Sequence, residues 1–219
     1  MSDSLLTRIG RSLASGARQV GEWATRVWDG IRSRVKALWG SIRNLFEAEP
    51  DEPDEAEDAR RAAVAGAIRE RFGERPLEAL QEATTAERKR MLAEIADRAC
   101  TALDIPSVDV VVKPMNGNDA GSFSFETRRI TVNLGEVDRD PMSADDALEL
   151  MDTILHEVYH AFQLEAIADR RHRVSSALAE TWADEFANYV SASQNPTAYW
   201  LQSVEVTARN FAHAVSTSL

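Results

Sequence analysis

The 219-residue chain has one cysteine, four histidines and three tyrosines. No apolar run approaches the roughly 20 residues that span a bilayer. A lone Cys100 closes no disulfide within the chain, so nothing points to an oxidising compartment. No thiolate-activating group surrounds it in sequence, and it reads as a buried helix residue, not a nucleophile. The N-terminus lacks the continuous apolar core and small-residue cleavage site of a secretory signal. The expectation is therefore a cytoplasmic protein, peripheral to a membrane or delivered by a route without a signal peptide. Net positive charge is confined to one segment. Residues 1–46 hold eight basic and three acidic side chains, a net of +5, which leaves −16 for the remainder of a chain whose total is −11. An acidic body grips a phosphate backbone poorly, and no nucleic-acid partner is expected.

What the chain does have is segmental order. Apolar residues recur every three or four positions through residues 1–46, from Leu5, Leu6 and Ile9 to Leu38, Ile42 and Leu45. Arginines and Lys36 fill the gaps, and Trp23, Trp28 and Trp39 add aromatic bulk. Such a basic amphipathic helical segment can lie in an anionic membrane interface. It can also dock in a partner protein's groove or pack on its own domain. Residues 47–58 carry eight acids and two prolines and read as a solvated, extended linker. The domain proper is expected over 59–219, with supporting helices in 59–104. Those run from Arg60 to Phe72 and from Leu77 to Leu103, with a break near Thr84-Thr85, and Thr85 is the expected cap.

Ile105-Pro106 ends the helical region. Val108, Val110 and Val112 alternate with other residues as a strand, and Ser122–Glu126 with Arg129–Leu134 read as a hairpin. Ile130 to Leu134, just before the next helix, is the candidate for an edge strand that an extended chain could join, or else a purely structural strand.

Two of the four histidines fall in His156-Glu157-x-x-His160. Leu148, Met151, Ile154, Leu155, Val158, Tyr159 and Phe162 keep helical spacing around them, and Ser143 with Asp146 looks like a capping box. On a helix, residues four apart share a face, so both imidazoles can reach one metal ion. Zinc suits neutral imidazole, and it keeps a position open when three protein ligands bind. Glu157 then lies where a general base would take the proton of an attacking water. A third ligand should come from a downstream helix. Glu180 and Glu205 both qualify, each within Glu-x-x-Ala-x-x-Phe-Ala. Glu180 and Asp184 resemble the Glu-x-x-x-Asp that thermolysin-like gluzincins carry at about this distance beyond the second histidine. That resemblance implies Glu180 as ligand and Asp184 as an outer partner of a ligand histidine. Tyr189, Tyr199, His172, Arg209 and His213 are all candidates to polarise a carbonyl.

Residues 105–213 resemble small bacterial and phage-associated zincin-like metallopeptidases. The shared pieces are the Ile-Pro start, Ile130-Thr131-Val132-Asn133, Ile154-Leu155-His156-Glu157-x-x-His160-Ala161-Phe162-Gln163, Trp182 to Tyr189, and Tyr199 to Glu205. A more distant similarity is to repressor-cleaving metallopeptidases of the ImmA/IrrE type. The resemblance implies Glu205 as the third ligand, ahead of Glu180. It departs at Ser203, where the family carries proline, and at Thr207, where it carries aspartate. The expected fold is α+β, zincin-like, with a small antiparallel or mixed sheet beside the motif helix and two helices closing the site. The implied activity is a gluzincin-type zinc endopeptidase with one zinc per chain, acting on a protein or peptide substrate. The competing reading is a toxin-like or structural membrane-active protein whose zinc is only structural. Glu157 separates the two, since a structural zinc has no use for a neighbouring base.

Overall fold

The computed structural model describes residues 55–115, 119–168 and 174–219. The amphipathic segment 1–46, the linker as far as residue 54, the turn at Asn116-Gly117-Asn118 and the basic turn with His172 lie outside those residues. The architecture is mixed α+β, mostly helical with one three-stranded sheet.

Helix α1 spans Glu55–Phe72. The last four residues of the expected linker thus form its first turn. Glu55, Glu57 and Asp58 face the positive end of the helix dipole there, and Arg60 pairs with Glu57 at 2.8 Å. Gly73, at φ +86°, ends α1 in the left-handed region that favours glycine. Helix α2 (Pro76–Glu82) opens on a proline, and α3 runs Thr85–Ala102. Its cap is Thr84, not Thr85. A capping box needs its glutamate three residues on, and Glu87 is three after Thr84. Buried Arg88 donates to the carbonyls of Leu80, Gln81, Val137 and Arg139, joining α2 to the loop ahead of the motif helix.

Strands β1 (Asp109–Lys113), β2 (Gly121–Ser124) and β3 (Arg129–Asn133) order as β1-β3-β2. β3 is parallel to β1 and antiparallel to β2, so the sheet is mixed. The expectation that Ile130 to Leu134 forms an edge is therefore corrected. Both sides of β3 are already paired, and its Ile130 and Val132 lie in the core. β2 is the edge strand nearest the motif. A short α4 (Leu134–Val137) leads to α5 (Ala144–Ala168), which starts on the expected capping box. The Ser143 amide donates to Asp146 at 2.9 Å and the Asp146 amide to Ser143 Oγ at 3.1 Å.

Helix α5 is buried along almost its whole length, with α2, α3, β2 and β3 packed against it. α6 (Ser176–Ala187), capped by Ser175, and α8 (Ser203–Ser216) complete the enclosure. Between them lies α7 (Pro196–Leu201). The core behind the motif is aromatic, with Tyr159 stacked on Phe211 at 4.5 Å and edge-on to Trp182. α8 has no local side-chain cap. Glu185, from α6, accepts instead from the Ser203 and Val204 amides at 2.9 and 2.8 Å. That contact fixes where α8 begins, and so where Glu205 sits. Among the described residues no helix is long and apolar enough to cross a membrane.

Candidate metal centre

His156 and His160 stand one turn apart on the face of α5 that meets α8. Their Nε2 atoms are 3.0 Å apart with the rings edge to face. Glu205 comes from the first turn of α8 and is wholly buried. Its Oε2 lies 3.2 Å from His156 Nε2 and its Oε1 3.4 Å from His160 Nε2. The three ligand atoms fall within 4.8 Å of one another, a grouping that could hold a metal ion.

The donor chemistry can be read from the surroundings. Gln163 Oε1 lies 2.8 Å from His160 Nδ1, so that nitrogen carries a proton and Nε2 presents its lone pair when the ring is neutral. Two imidazole nitrogens and a carboxylate facing one point need a cation between them, a proton or a metal. Burial pushes the His156 imidazole down to about 4, helped by the charge of His160. Burial opposes charge on His160 as well, but the Glu205 hydrogen bond and the Glu157 charge outweigh it, and its pKa is raised. Glu205 follows the same logic. Burial alone would raise it, yet both histidines hold it far below the usual carboxylate range. Two nitrogens and one carboxylate match the donor set of a mononuclear site with three protein ligands.

Glu157 is buried beside the cluster, and burial pushes its pKa up to about 7. The Phe123 amide of β2 donates to it. Gly121 of the same strand is packed so closely that an added Cβ would lie 3.3 Å from Glu157 Oε1. The edge strand and the carboxylate are thus in direct register.

Of the two candidate third ligands, Glu205 joins the histidines. Glu180 is exposed on α6 and does not. Asp184 is exposed as well, and Gln163 occupies the place expected of it, as the partner on a histidine's outer nitrogen. The physical reason is that α6 turns Trp182 and Ala179 inward, which leaves Glu180 and Asp184 on the solvent side. Of the carbonyl-polarising candidates, three gather at Glu205. Tyr189 donates to its Oε1 at 2.7 Å and Tyr199 hydrogen-bonds it too. Burial and that carboxylate raise both phenols well above their ordinary value. Arg209 Nη1 is 3.6 Å from Oε2, its guanidinium over the Trp200 ring at 4.2 Å. His213 is not among them, being exposed two turns along α8 beside Asp152. Cys100 is buried, and burial pushes its thiol up to about 11, as suits a core residue.

Sequence reasoning gave Gln163 no role. The available signal was its place three residues after His160, on the same helix face as both histidines. Comparison with protein-family models, curated proteins and solved structures finds no match.

Proposed function

We propose that the chain is a zinc-dependent endopeptidase with a zincin-like, gluzincin-type site. The observation that carries this reading is the convergence of His156, His160 and Glu205 with Glu157 buried beside them. A zinc ion held by those three would supply Lewis acidity, polarising a substrate carbonyl and making a water more acidic. Glu157 takes the proton of the attacking water on its carboxylate and passes it to the leaving amine nitrogen. Its burial favours that shuttle, because a carboxyl pushed towards neutrality both accepts and releases a proton readily. Tyr189 and Tyr199, whose hydroxyls bond Glu205 at the cluster, are the groups that would stabilise charge on the carbonyl oxygen.

Among the described residues β2 is an edge strand, which supports a peptide over a non-peptide amide. An extended chain can add to it as a fourth strand, with main-chain hydrogen bonds holding the scissile bond opposite Glu157. A structural zinc would call for four protein ligands, and the cluster offers three among the described residues. That weighs against the membrane-active reading. Residues 1–46 would deliver the enzyme to an anionic membrane or a protein partner.

The deciding experiment is Glu157→Gln, which keeps size and polarity but removes the proton acceptor. Zinc content, by plasma emission, should stay at one per chain. Cleavage of a peptide library hit should fall about 10²–10⁴-fold. Equal cleavage by both proteins rules the mechanism out.

A further inference from the structure

Gln163 is fully buried, and each of its polar atoms is committed. Its Nε2 donates to the Val204 carbonyl and to Thr207 Oγ1, both at 2.8 Å. Thr207 in turn donates to the Ser203 carbonyl at 2.8 Å, so towards Gln163 it acts as an acceptor. Two acceptors on α8 fix which end of the amide is nitrogen, and the oxygen must then face His160 Nδ1. One side chain therefore touches both halves of the cluster. It reaches the ring of a histidine on α5 and the first turn of the helix that carries Glu205.

We propose that Gln163 is a positioning residue with two tasks. It keeps the proton of neutral His160 on Nδ1, so that Nε2 points its lone pair at Glu205 and His156. It also ties the start of α8 to α5, so that Glu205 stands opposite both imidazoles. The metal reading underlies this inference; peptide hydrolysis does not. Thr207 gains a purpose as well. Its hydroxyl receives the amide that an aspartate at this position would have to receive as a charge.

The test uses the full chain with nitrogen-15-labelled histidine, free of metal, at an alkaline pH chosen from the same spectra so that His160 carries a single ring proton. Long-range proton–nitrogen spectra should show His160 protonated at Nδ1. A proton on Nε2 in the wild type overturns the proposal. Gln163→Leu should lose that preference and bind zinc about 10–100-fold more weakly, the usual cost of removing an outer partner of a ligand histidine. Gln163→Glu keeps an acceptor for Nδ1 and should keep the Nδ1 proton. It should bind zinc more tightly than the leucine variant. A leucine variant with the wild-type tautomer and affinity overturns the proposal. So does one whose only change is a lower melting temperature. If Gln163→Leu does not fold, the wild-type and Gln163→Glu spectra decide. Because the spectra are taken without metal, they are independent of zinc uptake. A wild type that binds no zinc ends the metal reading by itself.

Discussion

Gly121 approaches Thr153 so closely that a Cβ on the glycine would stand 2.8 Å from the threonine Cγ2. This contact sets the distance between the edge strand and the motif helix. Gly121→Ala should push β2 away from Glu157, lowering stability by about 1–3 kcal/mol as overpacking does. It should also lower kcat/KM about 10- to 100-fold, since small misplacements at a reacting centre are costly. Zinc content should not change. Adding Thr153→Ser removes the obstructing methyl and keeps the hydroxyl that bonds the Glu149 carbonyl. Failure of the double variant to regain stability would show that the contact is not the cause.

The two glutamates of the repeated Glu-x-x-Ala-x-x-Phe-Ala pattern should part company completely. Glu205→Ala should weaken zinc binding by more than the roughly 10–100-fold that outer partners contribute. Glu180→Ala, at an exposed position, should leave affinity within error. Competition with a chromophoric chelator measures both, and the reverse ranking would move the third ligand to α6.

That contrast marks where sequence stopped being informative. The two stretches have the same local pattern, and only the inward turn of Trp182 decides that one carboxylate faces solvent. The motif helix, its Ser143–Asp146 cap and the helix break near Thr84 were legible because they rest on neighbours three or four apart. The place of β3 was not. Its parallel pairing with β1 is a non-local choice, and it turned the expected edge strand into the central one. Glu185 capping α8 from another helix was hidden for the same reason.

Stability should respond to pH through Asp152. Burial raises its carboxyl above the ordinary value of 3.8, against the hydrogen bond from Ser216 and the charge of His213. A raised acid binds more protons in the folded state than in the unfolded one. Its contribution is therefore fully present below 3.8 and lost as pH rises through the folded value. Asp152→Asn keeps an acceptor for Ser216 and removes the buried charge. It should melt higher than wild type at pH 7, with the gap closing towards pH 3.5. A gap independent of pH would assign the effect to something other than the carboxyl.

A peptide of residues 1–46, with its net charge of +5, should gain helical circular dichroism on anionic vesicles. It should leave them in 1 M salt, where the screening length falls to about 3 Å. Unchanged spectra with vesicles would favour a protein partner.

The division of the cluster between α5 and α8 also bears on how the protein is made. On the ribosome the two histidines emerge first, on a helix that still lacks its carboxylate partner. Gln163 at that stage has no Val204 or Thr207 to hold it. Nascent chains therefore hold only two of the three donors of the cluster until α8 has docked. The three-donor grouping arrives with tertiary closure rather than with synthesis of the motif.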